Sequence, residues 1–293
     1  MENIRNKDGL TEKEFLSQYK PGDYERPSVT ADILLFTIDK ETKINQRTPD
    51  KCELKLLLIK RNNHPFINKW ALPGGFVDIT ESIEDAAYRE LKEETSIQDN
   101  VYLEQLYTFS NPNRDPRMRI ISTAYMALTP ATNIISTKAG DDASDANWFS
   151  IKKTTISETD ETLKSLVEIF DEDKDIHMKY EVTYKYKTKK SSYIILPDSK
   201  GELAFDHISI IDMGLSRLRN KINYTDIVFN LLPDLFTLED LQQVFEILLD
   251  EKQIKPNFRK KVEPMVIKTD IIKDNVGYRR PYLYRKNPKY IAE

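Results

Sequence analysis

An α+β protein in two unlike halves is predicted by three features of the sequence. Runs rich in β-branched and apolar residues surround one amphipathic helix in the first half. Apolar residues recur at helical spacing after Gly201. Charge is unevenly spread: residues 252–293 hold twelve Lys or Arg against four Asp or Glu, a local +8 that leaves −12 on the rest of a chain whose net charge is −4.

A polar arm over residues 1–28 leads to a first strand, from about Val29 in "YERPSVTADILLFTID". "CELKLLLIKR" is a second strand, and the polar "KETKINQRTPDK" between them is their connection. A loop from His64 to Gly75 precedes a helix from about Thr80, and "VYLEQLYTF" and "RIISTAYMALT" are further strands. This mixed sheet with its helix forms a domain over 29–151. Residues 152–202 read as an insertion or bridging hairpin: a charged stretch with a short helix at "ETLKSLVEIF", then "HMKYEVTYKYKTKKSSYIILP", which alternates like two strands about a polar turn. In a last domain, 203–293, "DHISIIDMGLSRLRNKI" and "TLEDLQQVFEILLD" are helices, the second opened by a Thr237/Asp240 capping box. The basic "KPNFRKKVEPMV" is a third helix and "IKTDIIKDNVGYRRPYLYR" a two-stranded ribbon about a glycine turn. Helix, turn, basic helix and ribbon is the order of a winged helix.

The single cysteine, Cys52, has no partner for an internal disulfide, and a cysteine-based zinc site would need more sulfur ligands. The opening residues lack the apolar core of a signal peptide, and no run approaches the length of a membrane span. A soluble cytoplasmic protein without a membrane partner is therefore expected.

The helix after Gly75 carries acids on an unexpected face. Started at about Thr80, it places Glu90, Glu93 and Glu94 on one roughly 120° arc with Ile83, Ala86 and Ala87, at about 100° per residue. Burying carboxylates costs several kcal/mol each unless cations or strong donors accompany them. The i, i+3, i+4 spacing would gather up to six carboxylate oxygens, a donor set suited to Mg2+ or Mn2+ and to phosphate bridging. Arg89 beside them has the geometry to orient a carboxylate through two parallel hydrogen bonds. A solvated acidic face with Lys92 for company is the alternative that the spacing leaves open.

Gly75, five residues, Glu81, seven residues, Arg89-Glu90-Leu91, one residue, Glu93-Glu94, one residue, Ser96 and Ile97 together resemble the Nudix box. "WALPGGFV" before it is similar to the family's usual approach, and the resemblance covers about Pro27 to Phe149. One position departs, with Ser96 where the family has glycine, which predicts about a kcal/mol of strain or a slightly altered turn at the helix end, and not lost metal ligands. The resemblance implies a Nudix fold of mixed sheet between helices, and hydrolysis of a nucleoside diphosphate derivative. It implies Glu90 and Glu94 as principal metal ligands, Glu93 as a further ligand or base, Arg89 as orienting partner, and Glu81 completing the cluster through water. The metal, Mg2+ or Mn2+, would polarise a phosphoryl oxygen and help generate hydroxide.

"NPNRDPRMRIISTAYMAL" is similar to the matching segment of ADP-ribose-handling Nudix proteins, above all the Nudix-related transcriptional regulators of NAD metabolism. That places Arg114 and Arg117, with Gly75, at the substrate; a polar turn whose arginines pair with surface acids is the competing reading. Asp141, Asp142 and Asp145 lie where some Nudix enzymes carry a base, although a solvated loop ahead of Trp148 is the simpler account. The chain from Leu203 to Val262, with "RRPYLYR", resembles the C-terminal winged helix of the same regulators, which implies DNA contacts from Asn257, Arg259, Lys260, Lys261 and Arg280 or its neighbour Arg279. A solvated basic face or a protein-binding winged helix are the alternatives. The stretch from Ile151 to Gly201 departs from those regulators. His177 in it reads as a surface residue, and His207 as a structural contact at the domain junction. Two functions follow: a Mg2+-dependent pyrophosphohydrolase, splitting ADP-ribose into AMP and ribose 5-phosphate, and a DNA-binding regulator that senses ADP-ribose or a related nucleotide. Both resemblances imply a homodimer.

Overall fold

The computed structural model describes residues 4–23, 25–40, 52–95, 101–133, 143–273 and 280–290. In chain order these form α1 (Glu12–Gln18), β1 (Ser28–Lys40), β2 (Cys52–Arg61), β3 (Trp70–Ala71), β4 (Gly74–Phe76), α2 (Ile83–Thr95), β5 (Tyr102–Phe109) and β6 (Ile120–Leu128). There follow β7 (Ala143–Glu158), β8 (Thr162–Asp171), β9 (Ile176–Lys185), β10 (Lys190–Ile195), α3 (His207–Lys221), α4 (Leu238–Leu249), α5 (Lys255–Val262), β11 (Val266–Ile272) and β12 (Tyr282–Lys286). One mixed sheet runs β10-β9-β8-β7-β2-β1-β6-β5, with β3 beside β2 and β4 beside β1. The β1–β6 pair is parallel and the other pairs are antiparallel.

β1 is apolar without alternation because both of its faces are covered. Ile33 and Leu35 pack with Leu91 of α2, while Leu34, Phe36 and Ile38 join a core that continues through Ile210, Ile211 and Leu215 of α3 to Phe245 of α4. The second helical layer of the sandwich is therefore α3, from the C-terminal region. Gly214 of α3 lies so close to β1 that an added Cβ would sit 1.9 Å from Leu34 Cδ2. Overpacking of this kind costs about 1–3 kcal/mol, so Gly214→Ala is expected to lower the melting temperature by several degrees despite alanine's better helix propensity. Thermal unfolding followed by circular dichroism checks this.

The segment "ETLKSLVEIF" is a strand, not the expected helix. Leu163, Leu166, Val167 and Phe170 fit helical spacing, but Ser165, Val167 and Ile169 are the buried residues, in strict alternation. Pairing on both edges, to β7 and β9, supplies backbone hydrogen bonds that the local pattern does not reveal. The expected boundary at 151 falls inside β7, and β8, β9 and β10 extend the same sheet. α2 begins at Ile83 and not Thr80, because Ser82 accepts from the Asp85 N–H at 3.1 Å while its own hydroxyl and N–H donate to Asp85. The Thr237/Asp240 box opens α4, and Asp250 in a left-handed conformation (φ 54°) ends it. In α5, Phe258 and Val262 turn inward while Arg259, Lys260 and Lys261 face out. Among the described residues, no helix is long and apolar enough to cross a membrane.

Candidate functional site

Two glycines bring the sheet and α2 together. Gly74 and Gly75 pair with Asp32 and Ala31 of β1. A Cβ on Gly74 would lie 2.2 Å from the Ala31 carbonyl oxygen, and one on Gly75 would lie 2.1 Å from Glu90 Oε1. Only glycine leaves room there for the acids of α2. The Gly74 N–H donates to Glu94 Oε2 at 2.9 Å. Ile83, Ala86 and Ala87 anchor the start of α2 on Ala31 and Tyr125, as their spacing predicts. Glu90 and Glu94 are buried on that arc, whereas Glu93 at its edge is exposed.

Arg89 gathers these acids. Its Nε and Nη2 donate to Glu81 at 3.1 and 2.8 Å, its Nη1 to Glu90 at 2.7 Å and Glu93 at 3.2 Å, and its Nη2 also to the Phe76 carbonyl at 3.1 Å. The two-bond partner is Glu81. Among the described residues, no three His, Cys, Asp or Glu side chains are arranged to hold a metal ion. Of the acids in the box, Glu81, Glu90 and Glu93 converge on Arg89 in the arrangement present. Their chemistry nevertheless fits a hard divalent cation. Burial pushes the Glu90 carboxyl up even with Arg89 beside it, and a cation would relieve that desolvation. Arg89 and Glu81 stabilise each other's charged forms, Arg89 raised and Glu81 lowered.

Glu90, Glu93 and Glu94 line a cavity of about 720 Å³. Arg114 and Arg117 line it as well, but each is held by protein carboxylates. Arg114 donates to Asp206 and Asp32, and Arg117 makes two hydrogen bonds to Asp115 at 3.0 and 2.8 Å. Asp32 also accepts from the Ser122 hydroxyl. The far wall is aromatic: Phe205, in a left-handed conformation (φ 51°), stacks edge-on with Phe66 at 4.7 Å and lies under the guanidinium of Arg61 at 4.9 Å.

His207 is buried beside this wall and accepts the Leu72 N–H on Nδ1 at 2.9 Å, a structural contact as the sequence suggests. Burial lowers its pKa from the ordinary 6.5 despite the nearby Asp32 and Asp206. The unfolded chain then binds a proton at His207 more readily than the folded one, so this residue's contribution is complete above about pH 6.5 and is lost as the pH falls below it. Wild-type stability in urea should therefore fall from pH 7.5 to pH 5, and His207→Gln, less stable at pH 7.5, should fall less over the same interval.

His177 is half-exposed on β9 and pairs with Glu168 at 3.0 Å. Ser96, Asp141, Asp142 and Arg279 lie outside the described residues, and for Asp145 only its strand position, opposite Lys60, is described. Asp32, Phe205 and Asp206 are missed by motif reasoning. "FDH" carried one usable signal, three chemically distinctive residues just ahead of a helix; the buried aspartate inside the apolar run of β1 was another.

In the C-terminal region Asn257, Arg259, Lys260 and Lys261 are exposed along α5, Lys261 lying 4.7 Å from the Phe245 ring. Arg280, before β12, is exposed too, and β11 and β12 form the ribbon of the wing. The Phe236–Tyr284 bridge ties that ribbon to the residue before the α4 cap.

Two family models match: the NUDIX domain over residues 30–169 and the NrtR DNA-binding winged helix domain over 228–285. The chain is 30% identical over 279 residues to the ADPR responsive transcriptional repressor NtrR of Acinetobacter baylyi, covering 94% of this chain and 88% of that one. It is 44% identical over 97 residues to an ADP-ribose pyrophosphatase of Methanocaldococcus jannaschii, a match spanning 33% of this chain and 55% of the relative. Shewanella oneidensis NrtR, solved with a 27mer DNA, superposes with a TM-score of 0.59 at 28% identity, over 89% of this chain and 94% of that one. With a Nudix domain, an NrtR-type winged helix and likeness to a repressor along nearly its whole length, the chain belongs to the NrtR family of Nudix-related transcriptional regulators.

Proposed function

We propose that this protein is a DNA-binding transcriptional regulator that responds to ADP-ribose, or a closely related nucleoside diphosphate derivative, bound in the Nudix cavity. The observation that carries this reading is the position of α3. Its first residue, His207, and Phe205 just ahead of its cap line the cavity, and its body shares one apolar core with α4, the helix before the basic α5. A ligand in the cavity thus meets the element that positions the DNA-binding half. Asn257, Arg259, Lys260, Lys261 and Arg280 would contact DNA, with α5 entering the major groove and the wing following the backbone. A homodimer would present two such helices to paired half-sites. Binding to the DNA upstream of the protein's own gene, compared with random duplex at one salt concentration and with or without ADP-ribose, tests it. Equal affinities throughout would overturn it.

A second reading, metal-dependent hydrolysis in the same cavity, is favoured by the complete set of box acids and by the fit of Gly75 to Glu90. Glu90 and Glu94 would be the principal ligands of Mg2+ or Mn2+, with Glu93, exposed at the cavity edge and held by Arg89, as further ligand or base. When bound, the cation supplies Lewis-acid polarisation of a phosphoryl oxygen. Arg89 holds the carboxylates in place, and Gly75 keeps the cavity floor open. Arg114 and Arg117 would carry the phosphate charge. Water adds across the pyrophosphate of ADP-ribose to give AMP and ribose 5-phosphate. A hydrolysis screen over nucleoside diphosphate sugars, dinucleotides and triphosphates tests the substrate class.

A further inference from the structure

The cavity wall and the start of α3 are joined through one buried arginine. The Arg114 side chain is 4% exposed, and its Nε and Nη2 donate to the two oxygens of Asp206 at 3.2 and 2.8 Å. Nη2 also reaches Asp32 at 3.3 Å. Asp206 is the N-cap residue of α3, yet its carboxylate makes no capping hydrogen bond, and its backbone stands at φ −97°, ψ 25°. Where a cap is made in this chain the backbone is extended, as at Thr237 (φ −89°, ψ 158°) and Thr11 (φ −69°, ψ 162°). Aspartate is among the preferred N-caps, and a carboxylate there also meets the positive end of the helix dipole.

Asp206 therefore has two competing uses. It can hold Arg114, as it does in this structure, or turn back to cap its own helix. Arg114 also has two: Asp206, or an anion in the cavity that it lines. Asp32, fixed by Ser122, remains its partner in either case.

We propose that the Arg114–Asp206 pair is the coupling switch of this protein: a diphosphate in the cavity draws Arg114 from Asp206, and the released carboxylate caps α3 and re-sets its first turn. The proposal rests on the reading of the chain as a nucleotide-responsive regulator and adds the element that carries the response. A cap at Asp206 requires ψ to swing from 25° toward the extended range. That movement falls at the residue after left-handed Phe205, where the backbone is already bent sharply. The same segment is stitched to the approach to the glycines. Ala204 N–H donates to the Trp70 carbonyl at 2.7 Å, Trp70 N–H to the Glu202 carbonyl at 3.1 Å, and Leu72 N–H to His207. At the other end of α3, Arg219 donates to the Leu248 carbonyl of α4 at 2.9 Å and to the Lys153 carbonyl of β7 at 3.1 Å. A turn re-set at one end of α3 is thereby passed to α4 and on to α5.

Asp206→Asn separates the two uses, since asparagine caps as well as aspartate but cannot pair ionically with Arg114. Nucleotide affinity is measured calorimetrically with ADP-ribose, in EDTA and in Mg2+. DNA affinity is measured on the fragment upstream of the gene, with and without saturating ADP-ribose. Asp206→Asn should bind ADP-ribose at least about fivefold more tightly than wild type, because no carboxylate exchange opposes binding, in line with a coupling of 1–3 kcal/mol. Without ligand it should show the DNA affinity of ligand-saturated wild type, and ADP-ribose should shift that affinity less than about twofold. Asp206→Glu, which keeps the charge for Arg114 but is a poor cap, should keep the wild-type DNA affinity without ligand and lose most of the response to ADP-ribose. If Asp206→Asn does not fold, as judged by circular dichroism, Asp206→Ser carries the same expectations. An Asp206→Asn protein that keeps the wild-type response to ADP-ribose overturns the switch alone. Wild type whose DNA affinity ADP-ribose does not change overturns the regulator reading, and the switch falls with it.

Discussion

On the proposed hydrolase reading, Glu94→Gln is expected to lower Mg2+-dependent hydrolysis of ADP-ribose by about a hundredfold or more. Removing a ligand from a metal that stabilises developing phosphoryl charge forfeits about 3 kcal/mol of barrier lowering, and each 1.36 kcal/mol is a factor of ten. Glutamine keeps an oxygen for the Gly74 N–H at 2.9 Å, so the fold should survive with little change in melting temperature. Glu93→Gln should fall by a similar factor at even smaller structural cost, because that side chain is 58% exposed and accepts from Arg89 at 3.2 Å. Phosphate released by alkaline phosphatase measures the rate, since it attacks the monoester products and not the intact diphosphate. Turnover of Glu94→Gln equal to wild type would remove these acids from the chemistry. Gly75→Ala adds a check on geometry: its Cβ would fall 2.1 Å from Glu90 Oε1, so Glu90 must swing away and activity should drop with all acids still present.

Arg259→Ala combined with Lys260→Ala should weaken DNA binding by about 2 kcal/mol, roughly thirtyfold, if each side chain contributes about 1 kcal/mol. Each phosphate contact also contributes about 0.9 to the slope of log K against log salt, so the double variant should be shallower by up to about 1.8. Stability should not suffer, because α5 is held by buried Phe258 and Val262 and alanine is the best helix former. A salt titration by fluorescence anisotropy separates the outcomes. Unchanged affinity and slope would mean that α5 does not meet DNA, and a loss confined to one sequence with unchanged slope would make these residues base readers.

Legibility in the sequence followed the range of the interaction. The strands at "CELKLLLIKR" and "RIISTAYMALT", the α4 capping box and the wing ribbon were readable because each is written in adjacent residues. The acids of α2 were readable as a group because i, i+3 and i+4 share a face on any helix, although the exposure of Glu93, at the edge of that arc, was not. "ETLKSLVEIF" defeated local reasoning because its apolar residues satisfy two periods at once, and only its pairing with β7 and β9 chose between them. Arg114 was singled out as a substrate residue from its motif, and it lines the cavity, but its partners Asp32 and Asp206 lie 82 and 92 residues away in the chain.

Taken by itself, then, the sequence determined the identity and order of the two functional parts: a helix with acids at metal-ligand spacing behind a paired glycine, and a basic helix followed by a ribbon. These are local patterns, dictated by the period of the helix and the pleat. Only the tertiary structure decided that α3 belongs to both halves, that Glu81 is the two-bond partner of Arg89, and that Arg114 is held at the start of α3. Those outcomes depend on which distant surfaces exclude water together, and burial is a property of the assembled core that no spacing along the chain encodes.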